Sequence, residues 1–231
     1  MESILVTGAN RGIGLELARQ FSDAGWRVLA ACRRPEEAGQ LRELAAGSGG
    51  SLGIHRLDVT SGDDIRDLAS AIGDRPIDIL VNNAGVYGPR NAVFGNVRES
   101  DWIETLRINT IAPLRLAEAF AGNVEKSGRK VIATMTSRMG SIDDNTSGGH
   151  YIYRTTKAAV NMVTRCLSVD LRDRGITCVV LHPGWVRTGM GGTQAPLPVE
   201  ESVRGLVKVL TRISIKDTGS FLAHDGSTIP W

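Results

Sequence analysis

Short runs rich in β-branched residues alternate along this chain with longer stretches whose apolar residues recur at helical spacing. The runs are Ile4–Thr7, Arg27–Ala31, Leu52–Leu57, Ile77–Val81, Lys130–Thr134, Thr177–Leu181 and Gly219–Leu222. Between them, Ile13-Leu17-Ala18-Phe21, Leu41-Leu44-Ala45 and Ile65-Leu68-Ala69-Ile72 have a helical period. So do Trp102-Leu106, Leu114-Ala117-Glu118 and Ala158-Met162-Cys166. Strands that alternate with helices predict βαβ units, and therefore an α/β fold: a doubly wound parallel sheet of about seven strands with helices on both faces.

The cluster Gly47-Ser48-Gly49-Gly50-Ser51 is short enough to be a turn between a helix and a strand, and the periodicity is similar on both sides of it. Residues 1–231 are therefore read as one domain, without internal repeats. Three Gly-, Asn-, Thr- or Pro-rich segments, Val86–Glu99, Ser141–Gly149 and Thr188–Pro198, follow predicted strands. In an open α/β sheet, ligands bind at the loops beyond the strands' carboxyl ends.

The 231 residues fit one large domain, and a 42% hydrophobic, 23% charged composition is that of a soluble globular protein. The 27 basic and 25 acidic residues are interspersed, for a formal net charge of +2, so neither a nucleic-acid nor a membrane footprint stands out. A small molecule is the expected partner. Cys32, Cys166 and Cys178 lie far apart without the pairing of a metal or redox motif, which predicts free thiols and a reducing compartment. Met1-Glu2-Ser3 leads straight into an apolar strand with no signal-peptide pattern, so the expected location is cytoplasmic.

Chemistry-bearing residues begin where the first strand ends, at Thr7-Gly8-Ala9-Asn10-Arg11-Gly12-Ile13-Gly14. Glycines here permit a tight turn, close backbone approach to a pyrophosphate and close packing of helix on strand, while the helix N-terminus offers amides to the phosphates. The spacing is Thr-Gly-x-x-x-Gly-x-Gly rather than Gly-x-Gly-x-x-Gly, and it resembles the short-chain dehydrogenase/reductase family. Asp58-Val59 after the third strand and Asn82-Asn83-Ala84-Gly85 after the fourth extend the resemblance. It implies a Rossmann-like fold and a nicotinamide dinucleotide cofactor contacted by Gly8, Asn10, Arg11, Gly12, Ile13, Gly14, Asp58, Val59, Asn82, Ala84 and Gly85. Ala30-Ala31-Cys32-Arg33-Arg34 closes the second strand without the acidic residue that would accept a free ribose 2′-OH. Arg33, with Arg11, offers guanidinium forks to a 2′-phosphate instead, which favours NADP(H) over NAD(H).

Tyr153 and Lys157 stand four apart at the start of a helical pattern, so their side chains share a face. A tyrosine phenol, with an ordinary pKa of about 10, becomes a useful acid/base when a nearby ammonium lowers it. Tyr151 has Thr155 four residues on and is read as a packing or pocket residue. The family resemblance implies Ser137, in Thr136-Ser137-Arg138, as the serine that hydrogen-bonds the substrate oxygen, with Ser141 as the alternative. It further implies that Asn109 holds a proton-relay water beside Lys157. Pro183, Gly184, Val186 and Thr188 would contact the nicotinamide carboxamide. Tyr153 and Lys157 also face the cofactor in this scheme, and Gly189, Gly191 and Gly192 would let a lid move.

Thr136–Ser141, Asn145–Gly149, His182–Trp185 and Gly226–Trp231 are similar to the C-factor and Sniffer-like carbonyl reductases within that family. This implies hydride transfer between NADP(H) and a carbonyl or alcohol substrate, in a homodimer or homotetramer. It also implies a rival reading, a cofactor-binding signalling or sensing protein that acts through contacts. Thr156 departs from the serine that many relatives place before the lysine, a mild exchange.

Overall fold

A computed structural model describes residues 1–231. Seven strands form one sheet: β1 (Ser3–Thr7), β2 (Arg27–Cys32), β3 (Leu52–Arg56), β4 (Ile79–Asn82), β5 (Val131–Met135), β6 (Thr177–His182) and β7 (Phe221–Ala223). Their spatial order is β3-β2-β1-β4-β5-β6-β7 and every pairing is parallel. The chain is thus a Rossmann-like α/β protein, and each sequence-predicted strand is present with ends moved by one or two residues. The sheet order reverses between β1 and β4, and the crevice over their carboxyl ends is where such sheets bind ligands.

Both sheet faces are dry, as a parallel sheet requires. Side chains alternate between them along each strand: Ile4 and Val6 pack with α1 (Gly12–Asp23) and α7 (Val199–Arg212), whereas Leu5 packs with α3 (Gly62–Ile72) and α5 (Ala112–Glu125). On the first face, α2 (Gly39–Gly47) contributes Leu41. Helices α4 (Glu99–Leu106) and α6 (Tyr151–Asp170) complete the set. The three cysteines are free, and no helix is long and apolar enough to cross a membrane.

Three features depart from the sequence expectation. Helix α7 was not anticipated, although Val203, Leu206 and Leu210 have helical spacing and bury against the core, with Glu200 and Glu201 in the first turn and Arg212 in the last, as the helix dipole favours. The Ala158-Met162-Cys166 series correctly marks a helix but not its inward side: Met162 and Cys166 are exposed, and Tyr153, Lys157, Val160, Asn161 and Thr164 face inward. Finally, the Trp102-Leu106 and Leu114-Glu118 helices are one continuous run joined by a π-helical turn over Arg107–Ile111. Pro113 has no N–H to give the Asn109 carbonyl four residues earlier, so the α-helical ladder is broken there.

Candidate active site

The Gly-rich loop is set by contacts across the sheet. Thr7 Oγ1 accepts hydrogen bonds from the Asn83 and Ala84 amides, each at 3.0 Å, and Asn83 Nδ2 returns one to the Thr7 carbonyl at 2.8 Å. These tie the ends of β1 and β4 together on either side of the crevice. Gly8 and Gly12 have φ of +67° and +54°, the left-handed region that glycine occupies without cost. At Gly14 a Cβ would overlap the Gly8 carbonyl oxygen and lie 2.5 Å from Asn83 Nδ2. Helix α1 then starts with no acidic residue in its first turn to offset the positive end of its dipole. A cradle of backbone shaped this way, at a helix N-terminus, fits a pyrophosphate.

Around that cradle, Asn10, Arg11 and Arg33 are exposed, and neither arginine is in an ion pair, unlike the neighbouring Arg34, which holds Glu37 at 2.8 Å. Ile13 is half-buried and packs against the core. Burial works to raise the Asp58 pKa, but hydrogen bonds from the Thr60 amide (2.9 Å) and hydroxyl (2.7 Å), with the charges of Arg33 and Arg107, hold it below the ordinary aspartate value. Val59 is buried beside it. Asn82 lies within the sheet, 2% exposed; its Nδ2 donates to the Pro113 carbonyl and to Thr134 Oγ1, and its Oδ1 has no protein partner. A Cβ on Gly12 would meet the Thr188 methyl at 3.4 Å, so the loop after β6, with Pro183, Gly184 and the buried Val186, faces the Gly-rich loop across the crevice.

The second half of the site converges on α6. Tyr153, Lys157 and Asn109 are 8%, 6% and 1% exposed. Asn109 projects from the π turn; its Oδ1 accepts the Val86 amide at 2.9 Å, and its Nδ2 donates to the Val86 carbonyl at 2.8 Å and to Thr156 Oγ1 at 3.1 Å. A Cβ added to Gly85 would sit 3.2 Å from Asn109 Oδ1 and 3.6 Å from Lys157 Nζ, which brings these three positions and the end of β4 to one point. Lys157 Nζ donates to the Met135 carbonyl at 2.9 Å. It lies 5.8 Å from the centre of the Tyr153 ring. Two of its three N–H donors remain for other oxygens, as a ribose would supply.

Ser137 Oγ accepts from the Met139 amide at 3.2 Å, so its proton is free for donation toward Tyr153. Ser141, in contrast, is 2% exposed and already spent: its hydroxyl donates to the Trp231 carbonyl and accepts the Asp144 amide, both at 3.1 Å. Tyr151 is the first residue of α6 and is partly exposed. The reading from sequence overlooked Tyr87, whose ring stacks on Tyr153 with centroids 4.3 Å apart and 19° between planes, while His150 meets Tyr87 edge-on at 5.8 Å. An aromatic two residues beyond Asn-Asn-Ala-Gly was the available signal.

Electrostatics differ from the expectation that Lys157 lowers the Tyr153 phenol. Burial pushes that phenol up to about 12, with the Ser137 hydroxyl pulling the other way and Tyr87 adding to the rise. Burial also pushes the Lys157 ammonium down to about 8. In both cases loss of hydration on burial is the leading cause. At neutral pH the phenol therefore holds its proton and the lysine is mostly charged.

Thr156, 0% exposed, has a double use: its hydroxyl accepts from Asn109 and donates to the Tyr153 carbonyl at 2.9 Å. Serine keeps both bonds. Thr156→Ser is accordingly expected to lose only about 1 kcal/mol, for its buried methyl group, whereas Thr156→Val, of the same shape, leaves an Asn109 N–H buried without an acceptor and should lose about 1–3 kcal/mol in urea unfolding. A wild-type midpoint for Thr156→Val would refute the assignment.

A doubly wound sheet with a glycine cradle at its switch point, and a buried tyrosine and lysine one helical turn apart beside it, defines a nucleotide-binding oxidoreductase architecture. The chain belongs to the short-chain dehydrogenase family, whose sequence model matches residues 2–196. Among curated relatives, it is 42% identical to the C-signal of Myxococcus xanthus over 167 residues, 72% of this chain and all of that one. Among solved structures, it superposes on the carbonyl reductase Sniffer of D. melanogaster with a TM-score of 0.94, at 37% identity over the whole of both chains. An NADPH-bound carbonyl reductase from chicken fatty liver gives 0.92 at 38% identity, covering 100% of this chain and 99% of that one.

Proposed function

We propose that this protein is an NADP(H)-dependent carbonyl reductase with Tyr153 as its general acid/base. The observation that carries the reading is the convergence of Asn109, Ser137, Tyr153 and Lys157 beside the glycine cradle, at one end of the sheet. NADPH, when bound, supplies the hydride that is delivered to a carbonyl carbon. The chain's own residues do the rest. Ser137 donates a hydrogen bond to the substrate oxygen, where negative charge develops. Tyr153, protonated at neutral pH, gives that oxygen its proton in reduction and takes it back in oxidation. Lys157 binds the ribose and holds positive charge beside the phenol, which favours phenolate once the proton has left. Asn109, fixed by Val86 and Thr156, holds the water through which the proton is replaced. Tyr87 walls one face of the phenol and excludes bulk water from it.

The test is titration of the protein with NADPH and NADH, followed by a panel of aldehydes, ketones and diketones with NADPH absorbance recorded. NADPH-dependent turnover supports the reductase. Binding without turnover of any carbonyl favours the second reading, a cofactor-binding signalling protein, which the 42% identity to C-signal supports. In the same assay, Arg33→Ala is expected to weaken NADPH about 10- to 100-fold, the worth of a charge-assisted hydrogen bond, and to leave NADH unchanged. Equal losses for both cofactors would remove Arg33 from the 2′-phosphate site.

A further inference from the structure

We propose that Asn161 is a positioning residue that sets the reach of the Ser137 hydroxyl to Tyr153, a role that rests on the reductase reading above. Tyr153, Lys157 and Asn161 are successive residues at four-residue spacing, so all three lie on the inner face of α6. Asn161 is 3% exposed. Its amide spans the segment that carries Ser137. Asn161 Oδ1 accepts the Thr136 hydroxyl at 2.6 Å, and Asn161 Nδ2 donates to the Gly140 carbonyl at 3.2 Å. One residue before Ser137 and one three residues after it are therefore held by a single side chain of the helix that bears the tyrosine and lysine.

The same segment is pressed onto α6 from outside the amide bridge. Thr136 Oγ1 is also 3.4 Å from the Lys157 carbonyl, and a Cβ on Gly140 would come within 2.8 Å of Lys157 main-chain carbon. Lys157 Nζ closes the arrangement by bonding the Met135 carbonyl. Between these anchors Ser137 caps a single 3-10 turn, Arg138–Gly140, through the Met139 amide. A one-turn helix has little stability of its own, so its placement depends on the anchors. An ionised aspartate or an apolar residue at position 161 cannot both accept from Thr136 and donate to Gly140, whereas the primary amide of asparagine can.

The experiment measures the single-turnover rate of NADPH-dependent carbonyl reduction for wild type, Asn161→Ala, Ser137→Ala and the double variant, with NADPH affinity measured alongside. Asn161→Ala is expected to slow the rate on the order of 10- to 100-fold, the effect of a misplaced catalytic group, with NADPH affinity unchanged. In the Ser137→Ala background it should slow the rate no further. An equal slowing in both backgrounds, or no slowing in either, overturns the proposal, because general damage to α6 would not depend on Ser137. Thr136→Val, which preserves shape and removes one of the two bonds, should reproduce the Ser137-dependent loss if Asn161→Ala folds poorly. Amide hydrogen exchange at Met139, Gly140 and Ser141 gives a readout independent of turnover. Faster exchange there in Asn161→Ala supports the clamp even if wild type reduces no carbonyl, which would sink the reductase reading alone; unchanged exchange removes the clamp.

Discussion

Tyr153→Phe is expected to bind NADPH as wild type does and to reduce carbonyls about 10²–10⁴-fold more slowly, the usual contribution of a positioned general acid. The substitution removes one hydroxyl and leaves a ring of the same outline, so the stack on Tyr87 at 4.3 Å survives. In the proposed reduction Tyr153, whose phenol burial pushes up to about 12, would carry the proton consumed at neutral pH. Phenylalanine offers none, and Ser137, whose proton is far less acidic, can stabilise the oxygen but not neutralise it. Steady-state rates with matched NADPH affinity decide the point: turnover within severalfold of wild type would assign the acid to another group.

The second large effect is expected at Gly14. Gly14→Ala drives a methyl group into the Gly8 carbonyl and Asn83 Nδ2, neither of which can yield, since one is backbone and the other is bonded to the Thr7 carbonyl. Overpacking of this kind costs about 1–3 kcal/mol, and each kcal/mol lowers Tm by about 2–4 °C in a domain of this size. The loop must open to relieve the overlap, so NADPH affinity should fall with stability. Gly122→Ala, where a Cβ meets nothing within 4 Å in the last turn of α5, serves as the control and should raise Tm slightly. A Gly14→Ala protein with wild-type Tm and NADPH affinity would contradict the geometry.

Local sequence carried the parts of this protein that local physics determines. The strands were legible because each is a short apolar run closed by a turn, and the cradle because glycine at Gly8, Gly12 and Gly14 answers a backbone demand visible in spacing. Helix α7 was overlooked because Val199–Arg212 follows a Gly- and Pro-rich segment that reads as loop throughout. Apolar spacing does not mark the inward face of α6 because its buried side is largely polar: Thr156, Lys157, Asn161, Thr164 and Ser168 occupy positions where periodicity looks for apolar residues. Tyr87 and Asn161 act through partners remote in sequence, Tyr153 for one and Thr136 and Gly140 for the other. Nor does the motif reveal that burial, rather than Lys157, governs the Tyr153 phenol in the protein alone. That balance depends on how much of the crevice is dry.

The π turn at Arg107–Ile111 has a consequence for the long helix as a whole. One extra residue in a turn displaces everything beyond it by about 100° around the axis relative to an unbroken α-helix. The run from Glu99 to Glu125 is therefore two helices out of phase, and each half can be amphipathic toward a different neighbour. The first half turns Thr105 inward near α6, and the second turns Leu116, Phe120 and Val124 onto the sheet. Asn109 stands at the phase change, where the side-chain rows of the two halves diverge and leave room for a polar group between two packed surfaces. Shortening the turn by one residue would re-phase the halves and force a choice between packing the sheet and keeping Asn109 beside Lys157.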